Sequence, residues 1–297
     1  MLYIRKFYDL QVLVGEESDM SHECSVLNIN ELNVYVELTK CSVPTRNRTI
    51  LINGALATSS SFRNWKRFLA DKSDVITFDL PFSGKSKPFN EQDCNIVTLD
   101  DEVAIIREII SIYKPNIIAS ASWGGASTLK LLHNGEEGLE HAIIASYSFE
   151  FNDRMRTYVK QANLYSKEKK FVDLAHLMNE EVGAYLPNKM KFCNFRHLTT
   201  LDEIEYRQGR FHLEQISNIR NHDYKRIIDN SACQFHFING DLDIHTPQKN
   251  IEEICGESDK TRFYQIRDAG HFLDLEGKVS RERTAAAFNT IFSQIGV

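Results

Sequence analysis

Seven short runs of β-branched and aromatic residues alternate with amphipathic stretches along this chain, and that alternation leaves few architectures open. The runs are Val34–Leu38, Thr49–Ile52, Val75–Phe78, Asn116–Ala119, Ala142–Ala145, Gln234–Ile238 and Arg262–Ile266. Strand-length runs separated by helical patterns predict an α/β fold, a mainly parallel sheet with crossover helices on both faces. In Leu99–Tyr113 apolar residues recur at Leu99, Val103, Ile106, Ile109, Ile110 and Tyr113, close to the helical period. Asp100 and Asp101 fall in its first turn, where the helix dipole favours negative charge. Ser280–Ile295 carries a similar stripe through Ala285, Phe288, Ile291 and Phe292. A polar, Pro-containing turn, Cys41–Arg48, joins the first two strand runs, which predicts that these pair as neighbours.

The pattern changes from about residue 150 to 230. Strand-like runs vanish and polar-amphipathic helical stretches take over, broken at Gly183 and at Leu186-Pro187-Asn188. The expected organisation is therefore a core of residues 1–149 and 231–297, with residues 150–230 inserted between two strands as an α-helical cap. A hydrophobic fraction of 42% with 26% charged residues is ordinary for a soluble globular enzyme. The net charge of −6 gives a nucleic-acid partner no global support. No apolar run approaches the roughly 20 residues needed to span a bilayer, so stable membrane insertion is not expected. In Met1–Gly15, Asp9 interrupts the apolar stretch that a signal peptide requires, and a cytoplasmic location is expected. The six cysteines lie far apart with no C-x-x-C pair, which supports neither a disulfide framework nor a metal site.

The sharpest local signal is Ser120-Ala121-Ser122-Trp123-Gly124-Gly125, after one strand run and before a helical run, Ala126–Leu132. Strand, sharp turn and helix are the context of a nucleophile elbow, whose strained turn demands small flanking residues. The usual pattern is G-x-S-x-G; Ser120 replaces its first glycine and Gly124 supplies the second. A serine hydroxyl needs a base, and in this arrangement the order along the chain is serine, acid, histidine. His271 follows the last strand run in Asp268-Ala269-Gly270-His271-Phe272, and no later histidine exists. Asp243, in Asn239-Gly240-Asp241-Leu242-Asp243, has the spacing of the orienting acid; its rival Asp241 reads as a turn residue. Acyl transfer also builds charge on a carbonyl oxygen, which backbone N–H groups can hold. The donors expected are Trp123, after the nucleophile, and Ala55 or Leu56 in Asn53-Gly54-Ala55-Leu56 after an early strand. Gly84-Lys85-Ser86 ends like a phosphate loop, but the position of its first glycine is Asp79, which rejects nucleotide binding.

Taken together, Leu51–Thr58, Phe78–Ser86, Ser122–Gly125, Phe237–Gly240 and Ala269–Asp274 resemble the RhlA/PhaG group of 3-hydroxyacyl-transferring α/β hydrolases. Val182–Pro187 and Phe211–Gln215 match within the helical insert, and the resemblance runs from about residue 30 to the C-terminus. It implies an α/β-hydrolase fold, triad roles for Ser122, Asp243 and His271, thioester substrates on acyl carrier protein or CoA, and no cofactor. The first implied activity is coupling of two 3-hydroxyacyl units into 3-(3-hydroxyalkanoyloxy)alkanoic acid, the lipid precursor of rhamnolipid-like biosurfactants. A 3-hydroxyacyl-ACP:CoA transacylase or thioesterase feeding polyhydroxyalkanoate synthesis is the alternative. A generic esterase or lipase and a non-catalytic binding protein of this fold are also retained. His197–Asp202 forms an H-x-x-x-x-D pattern, read as catalytic in PhaG-like and glycerolipid acyltransferases. Its place in the helical insert favours a structural role, with Asp202 capping the next helix.

Asn53 and Leu56 are further candidates for contact with substrate. Residues 150–230 hold 14 Lys/Arg against 12 Asp/Glu, so this segment is net positive in an acidic chain. Lys167, Lys169 and Lys170 form one cluster, a candidate surface for steering an acidic carrier protein.

Overall fold

The computed structural model describes residues 22–91, 96–218, 224–256 and 258–296. The reading of Met1–Gly15, and Cys94, lie outside the described residues. One eight-stranded sheet organises the chain, in the order β1-β2-β4-β3-β5-β6-β7-β8. Its strands are β1 (His22–Ile29), β2 (Leu32–Thr39), β3 (Arg48–Ile52), β4 (Asp74–Phe78), β5 (Ile117–Ala121), β6 (His141–Ala145), β7 (Gln234–Gly240) and β8 (Thr261–Ile266). The pairs from β4 and β3 through β8 are parallel, while β1–β2 and β2–β4 are antiparallel. The α/β-hydrolase fold expected from the sequence is thus present.

One expectation is corrected. The runs at 34–38 and 49–52 are not neighbours, because β4 lies between them. Their connection crosses the end of β4 instead of closing a hairpin: the Cys41 N–H donates to the Asp74 carboxylate, and the Asp74 N–H donates to the Asn47 carbonyl. Strand β1 was not anticipated; it is rich in polar residues and its first three are exposed.

Helices cover both faces. On one side lie α1 (Arg63–Leu69), which presents Trp65 and Leu69, and the C-terminal helix Lys278–Ile295, which presents Phe288, Ile291 and Phe292. On the other lie α2 (Leu99–Tyr113) and α3 (Trp123–His133). Thr98 caps α2 through a reciprocal pair with Asp101, satisfying N–H groups a helix start leaves open.

Between β6 and β7 the chain forms α4 (Asp153–Lys167), α5 (Phe171–Glu181), α6 (Asn188–Thr199), α7 (Glu203–Asn218) and α8 (Tyr224–Asn230). The helices α4, α5 and α7 share a cluster of their own around Tyr158, Val159, Ala162, Leu174 and Tyr206. Asp202 and Glu205 exchange bonds with each other's backbone N–H at the start of α7, and Lys87 from the sheet core pairs with both carboxylates. After β7 come α9 (Gln248–Cys255) and, following β8, the C-terminal helix, α10. The five described cysteines are free, and among the described residues no helix is long and apolar enough to cross a membrane.

Candidate active site

The site lies beyond the C-terminal ends of β5, β7 and β8, where an open parallel sheet leaves a crevice. Ser122 occupies the turn between β5 and α3 with φ 51° and ψ −121°. That backbone is held by the Ser122 N–H donating to the Ala145 carbonyl (2.9 Å) and by Gly125 N–H donating to the Ser122 carbonyl (2.8 Å). The turn needs the glycine that follows: a Cβ on Gly124 would stand 2.5 Å from the Ile52 carbonyl oxygen and 2.7 Å from that of Asn53. At Gly125 a Cβ would meet the Tyr147 ring at 2.7 Å.

Three side chains meet here. His271 Nε2 is 3.1 Å from Ser122 Oγ, and His271 Nδ1 is 2.7 Å from Asp243 Oδ2. Asp243 also accepts from the Thr246 hydroxyl (2.5 Å) and from the N–H groups of His245 and Thr246 (3.0 and 3.1 Å). Burial opposes the Asp243 charge, but the facing imidazole and these donors outweigh it and hold the carboxyl well below its ordinary range. For His271 burial likewise opposes the cation, yet Asp243, with Glu276 beyond it, raises the imidazole above its usual value. Asp241 does not join the chain; it is exposed and its carboxylate faces the Ala269 N–H at 3.4 Å.

The histidine loop is clamped by groups that sequence reasoning missed. Glu276 accepts from the N–H groups flanking His271, those of Gly270 (2.5 Å) and Phe272 (2.9 Å). The Ser146 hydroxyl donates to the His271 carbonyl (2.6 Å). Asp274 accepts from Asn64 and Trp65 and so pins the loop to α1.

Ala55 and Leu56 line a cavity of about 200 Å³ together with Ser122 and His271. The Trp123 N–H is the first of α3, a position without a partner inside its own helix. The amide of Asn53 is spent within the protein, on the Phe78 carbonyl and the Ser61 hydroxyl, and braces the loop. The helical insert contributes Leu174, Met178, Val182 and Leu213 to the cavity wall. A second cavity of about 400 Å³ also reaches Ser122 and has a more polar lining, including Ser148, Glu150, Arg156 and Thr246.

The lysine cluster is not part of this wall. Lys167, Lys169 and Lys170 are exposed at the end of α4, with Lys169 paired to Glu203 and Lys170 to Glu168. His197 stays outside the Ser122 chain, and its Nε2 lies 2.9 Å from the Leu56 carbonyl.

The profile of the α/β hydrolase fold family matches residues 49–278. Among solved structures, MGS-M2, an α/β hydrolase enzyme from a Medee basin deep-sea metagenome library, superposes with a TM-score of 0.72 at 13% identity, covering 92% of this chain and 98% of that one. The (R)-3-hydroxydecanoyl-ACP:CoA transacylase of Ectopseudomonas oleovorans is 36% identical over 269 residues, 89% of this chain and 90% of the relative. The protein of the same name from Pseudomonas aeruginosa is 33% identical over 245 residues, 82% of this chain and 81% of the relative. With that much of its length shared with such relatives, the chain belongs to the α/β-hydrolase fold family and, within it, to the RhlA/PhaG group.

Proposed function

We propose that the protein transfers a 3-hydroxyacyl group from an acyl-carrier-protein thioester through a covalent ester on Ser122, with the thiol of CoA as acceptor. The observation that carries the reading is the hydrogen-bonded series Ser122–His271–Asp243 opening into an apolar cavity. The names of the 33–36% identical relatives support the substrate class.

His271 Nε2 takes the Ser122 proton as Oγ attacks the thioester carbonyl, and Asp243 fixes the imidazole tautomer and steadies the cation. The N–H groups of Ala55 and Trp123 receive the oxyanion. Collapse breaks the C–S bond, and His271 returns the proton to the departing carrier thiol. An incoming thiol then gives its proton to His271 as its sulfur attacks the ester carbonyl; collapse breaks the bond to Ser122 Oγ, and His271 returns that proton to the serine oxygen. Residues 150–230 act as the cap that keeps water from the ester, over a core of 1–149 and 231–297. The polar character of the second cavity suits the amide-rich arm of a thiol acceptor.

The test is to incubate purified protein with 3-hydroxydecanoyl-acyl carrier protein, with and without CoA, and identify products by mass spectrometry. The 3-hydroxydecanoyl-CoA ester is expected, and Ser122→Ala should lose it by several orders of magnitude, since triad members act as a unit. Formation of 3-(3-hydroxyalkanoyloxy)alkanoic acid in either incubation would make the acceptor a second hydroxyacyl group. Full turnover by Ser122→Ala would reject the serine mechanism.

A further inference from the structure

The loop after β3 passes the nucleophile as a strained turn. Residues Gly54–Ala57 are closed by the Ala57 N–H donating to the Gly54 carbonyl (3.3 Å). The turn lies against Ser122: a Cβ on Gly54 would stand 3.3 Å from the Ser122 Cβ. Leu56, third of the four, has φ 58°, while Ala55 before it keeps a negative φ. That is the pattern of a type II turn, whose third position takes glycine or asparagine because other side chains are strained there. A leucine in that conformation persists only where its surroundings impose it.

Two contacts from the helical insert act on Leu56. His197, on α6, places Nε2 2.9 Å from the Leu56 carbonyl oxygen. A carbonyl only accepts, so Nε2 carries the hydrogen and donates it. From α7, Gly209 makes room for the leucine side chain: a Cβ there would stand 2.6 Å from Leu56 Cδ2 and 3.0 Å from Cγ. Residues near Gly209 fix α7 to the core. Gln208 is held by Val97, whose N–H donates to its carbonyl oxygen (2.9 Å) and whose carbonyl accepts from its amide (2.8 Å). His212 Nε2 lies 2.9 Å from Glu102, a buried carboxylate of α2 that also accepts from Trp123 Nε1 and the Ser127 hydroxyl. Asp202, at the start of α7, is paired with Lys87. Both ends of the H-x-x-x-x-D pattern therefore bear on one loop, His197 directly and Asp202 through the helix that carries Gly209. His197 itself is exposed and lines neither cavity that reaches Ser122.

We propose that His197 is a positioning residue: its hydrogen bond holds Leu56 in the left-handed conformation and so keeps the oxyanion loop set beside Ser122. This rests on the acyl transfer proposed for Ser122. If Leu56 relaxed to the right-handed region, the peptide between Ala55 and Leu56 would turn over, which is the difference between a type II and a type I turn. That reversal changes the dipole next to the Ala55 N–H, where negative charge develops on the carbonyl oxygen. Donors of this kind work because they need no rearrangement at the moment of reaction, so a loop with two conformations loses rate and not binding. The imidazole has only to donate, and it exchanges no proton with substrate.

The test is a mutant cycle on His197 and Leu56. It reads kcat and KM for 3-hydroxydecanoyl-acyl carrier protein with CoA, and the rate at which an alkyl fluorophosphonate labels Ser122, with folding checked by thermal unfolding. Losing an oxyanion donor outright costs about 100- to 1,000-fold in rate; a donor kept on a loosened loop costs less, so His197→Ala should lower kcat and labelling about 10-fold, with KM within about 2-fold. If His197→Ala does not fold, His197→Asn, whose amide ends short of the Leu56 carbonyl, takes its place. His197→Gln keeps an N–H donor at similar reach and should restore most of the rate, which a proton-transferring histidine would not allow. Glycine adopts the left-handed conformation without strain, so in Leu56→Gly the further change His197→Ala should cost less than about 2-fold. Three results overturn the inference: a native rate in His197→Ala, a His197→Gln protein as slow as His197→Ala, or an undiminished loss in Leu56→Gly. A native protein that is labelled but transfers no 3-hydroxydecanoyl group defeats the proposed substrate, and the labelling rates then decide the role of His197. A native protein neither labelled nor active defeats the Ser122 mechanism, and this inference with it.

Discussion

Gly124→Ala tests how tightly the nucleophile turn is built. The added methyl carbon would stand 2.5 Å from the Ile52 carbonyl oxygen and 2.7 Å from the Asn53 oxygen, both backbone atoms. Restoring an ordinary contact of about 3.4 Å requires α3 and the end of β3 to separate by roughly 0.9 Å. Overpacking of this kind costs about 1–3 kcal/mol. In a chain of 297 residues that lowers Tm by roughly 2–5 °C. The strand end being pushed leads into Gly54 and Ala55, so the proposed oxyanion donor moves with it. A displacement near 1 Å at a reacting centre costs on the order of 100-fold in rate. Gly125→Ala is the comparison, since its methyl meets the side chains of Tyr147 and Ile144 and not the backbone that leads to Ala55. Thermal unfolding with steady-state thioester turnover should show similar stability losses but a far larger fall in kcat for Gly124→Ala. A Gly124→Ala protein with native stability and most of its kcat would refute the reasoning.

Asp243→Asn should be far more damaging than Asp241→Asn in the same turnover assay, because an amide at the acid position favours the wrong histidine tautomer; the opposite ranking would move the acid to Asp241. Activity needs the unprotonated imidazole, and Asp243 raises the value for His271 against the effect of burial. A pH–rate profile should therefore show an acid limb above the ordinary histidine value of about 6.5, and residual activity in Asp243→Asn should have that limb at lower pH. Reversing Lys167, Lys169 and Lys170 to glutamate should raise KM for the carrier-protein substrate at low salt and less so at high salt. An unchanged KM at low salt returns the cluster to an ordinary solvated surface.

The residues brought together at Ser122 were legible because each follows a strand within a few positions, where a short motif carries geometry as well as composition. Sequence periodicity likewise found α2 residue for residue. The neighbour relation of β2 and β3 was not legible: pairing depends on where β4 inserts, which only the whole sheet decides. Glu276 and Ser146 act through backbone groups of a loop, and nothing in their local sequence announces that. Glu102 did leave a trace, since it falls between Leu99 and Val103 on the stripe of α2 that faces the core. A carboxylate there asks for buried partners, but not which ones; Trp123, Ser127 and His212 come from two other helices.

The insert leaves the sheet at the end of β6 and returns at the start of β7, and these two strands are hydrogen-bonded neighbours from His141↔Gln234 to Ala145↔Ile238. The ladder is continuous across that exit, so the sheet places little constraint on what is carried between the two strands. Helices there can lengthen, shorten or be exchanged between relatives without disturbing the strands that present Ser122, Asp243 and His271. The exchange is restricted by anchors that reach back into the core, among them Lys87 on Asp202 and Glu205, Glu102 on His212, Val97 on Gln208 and the Leu56 carbonyl on His197. The insert in this architecture can therefore evolve as a replaceable module, with Glu102 and Lys87 among the fittings that a replacement must still engage.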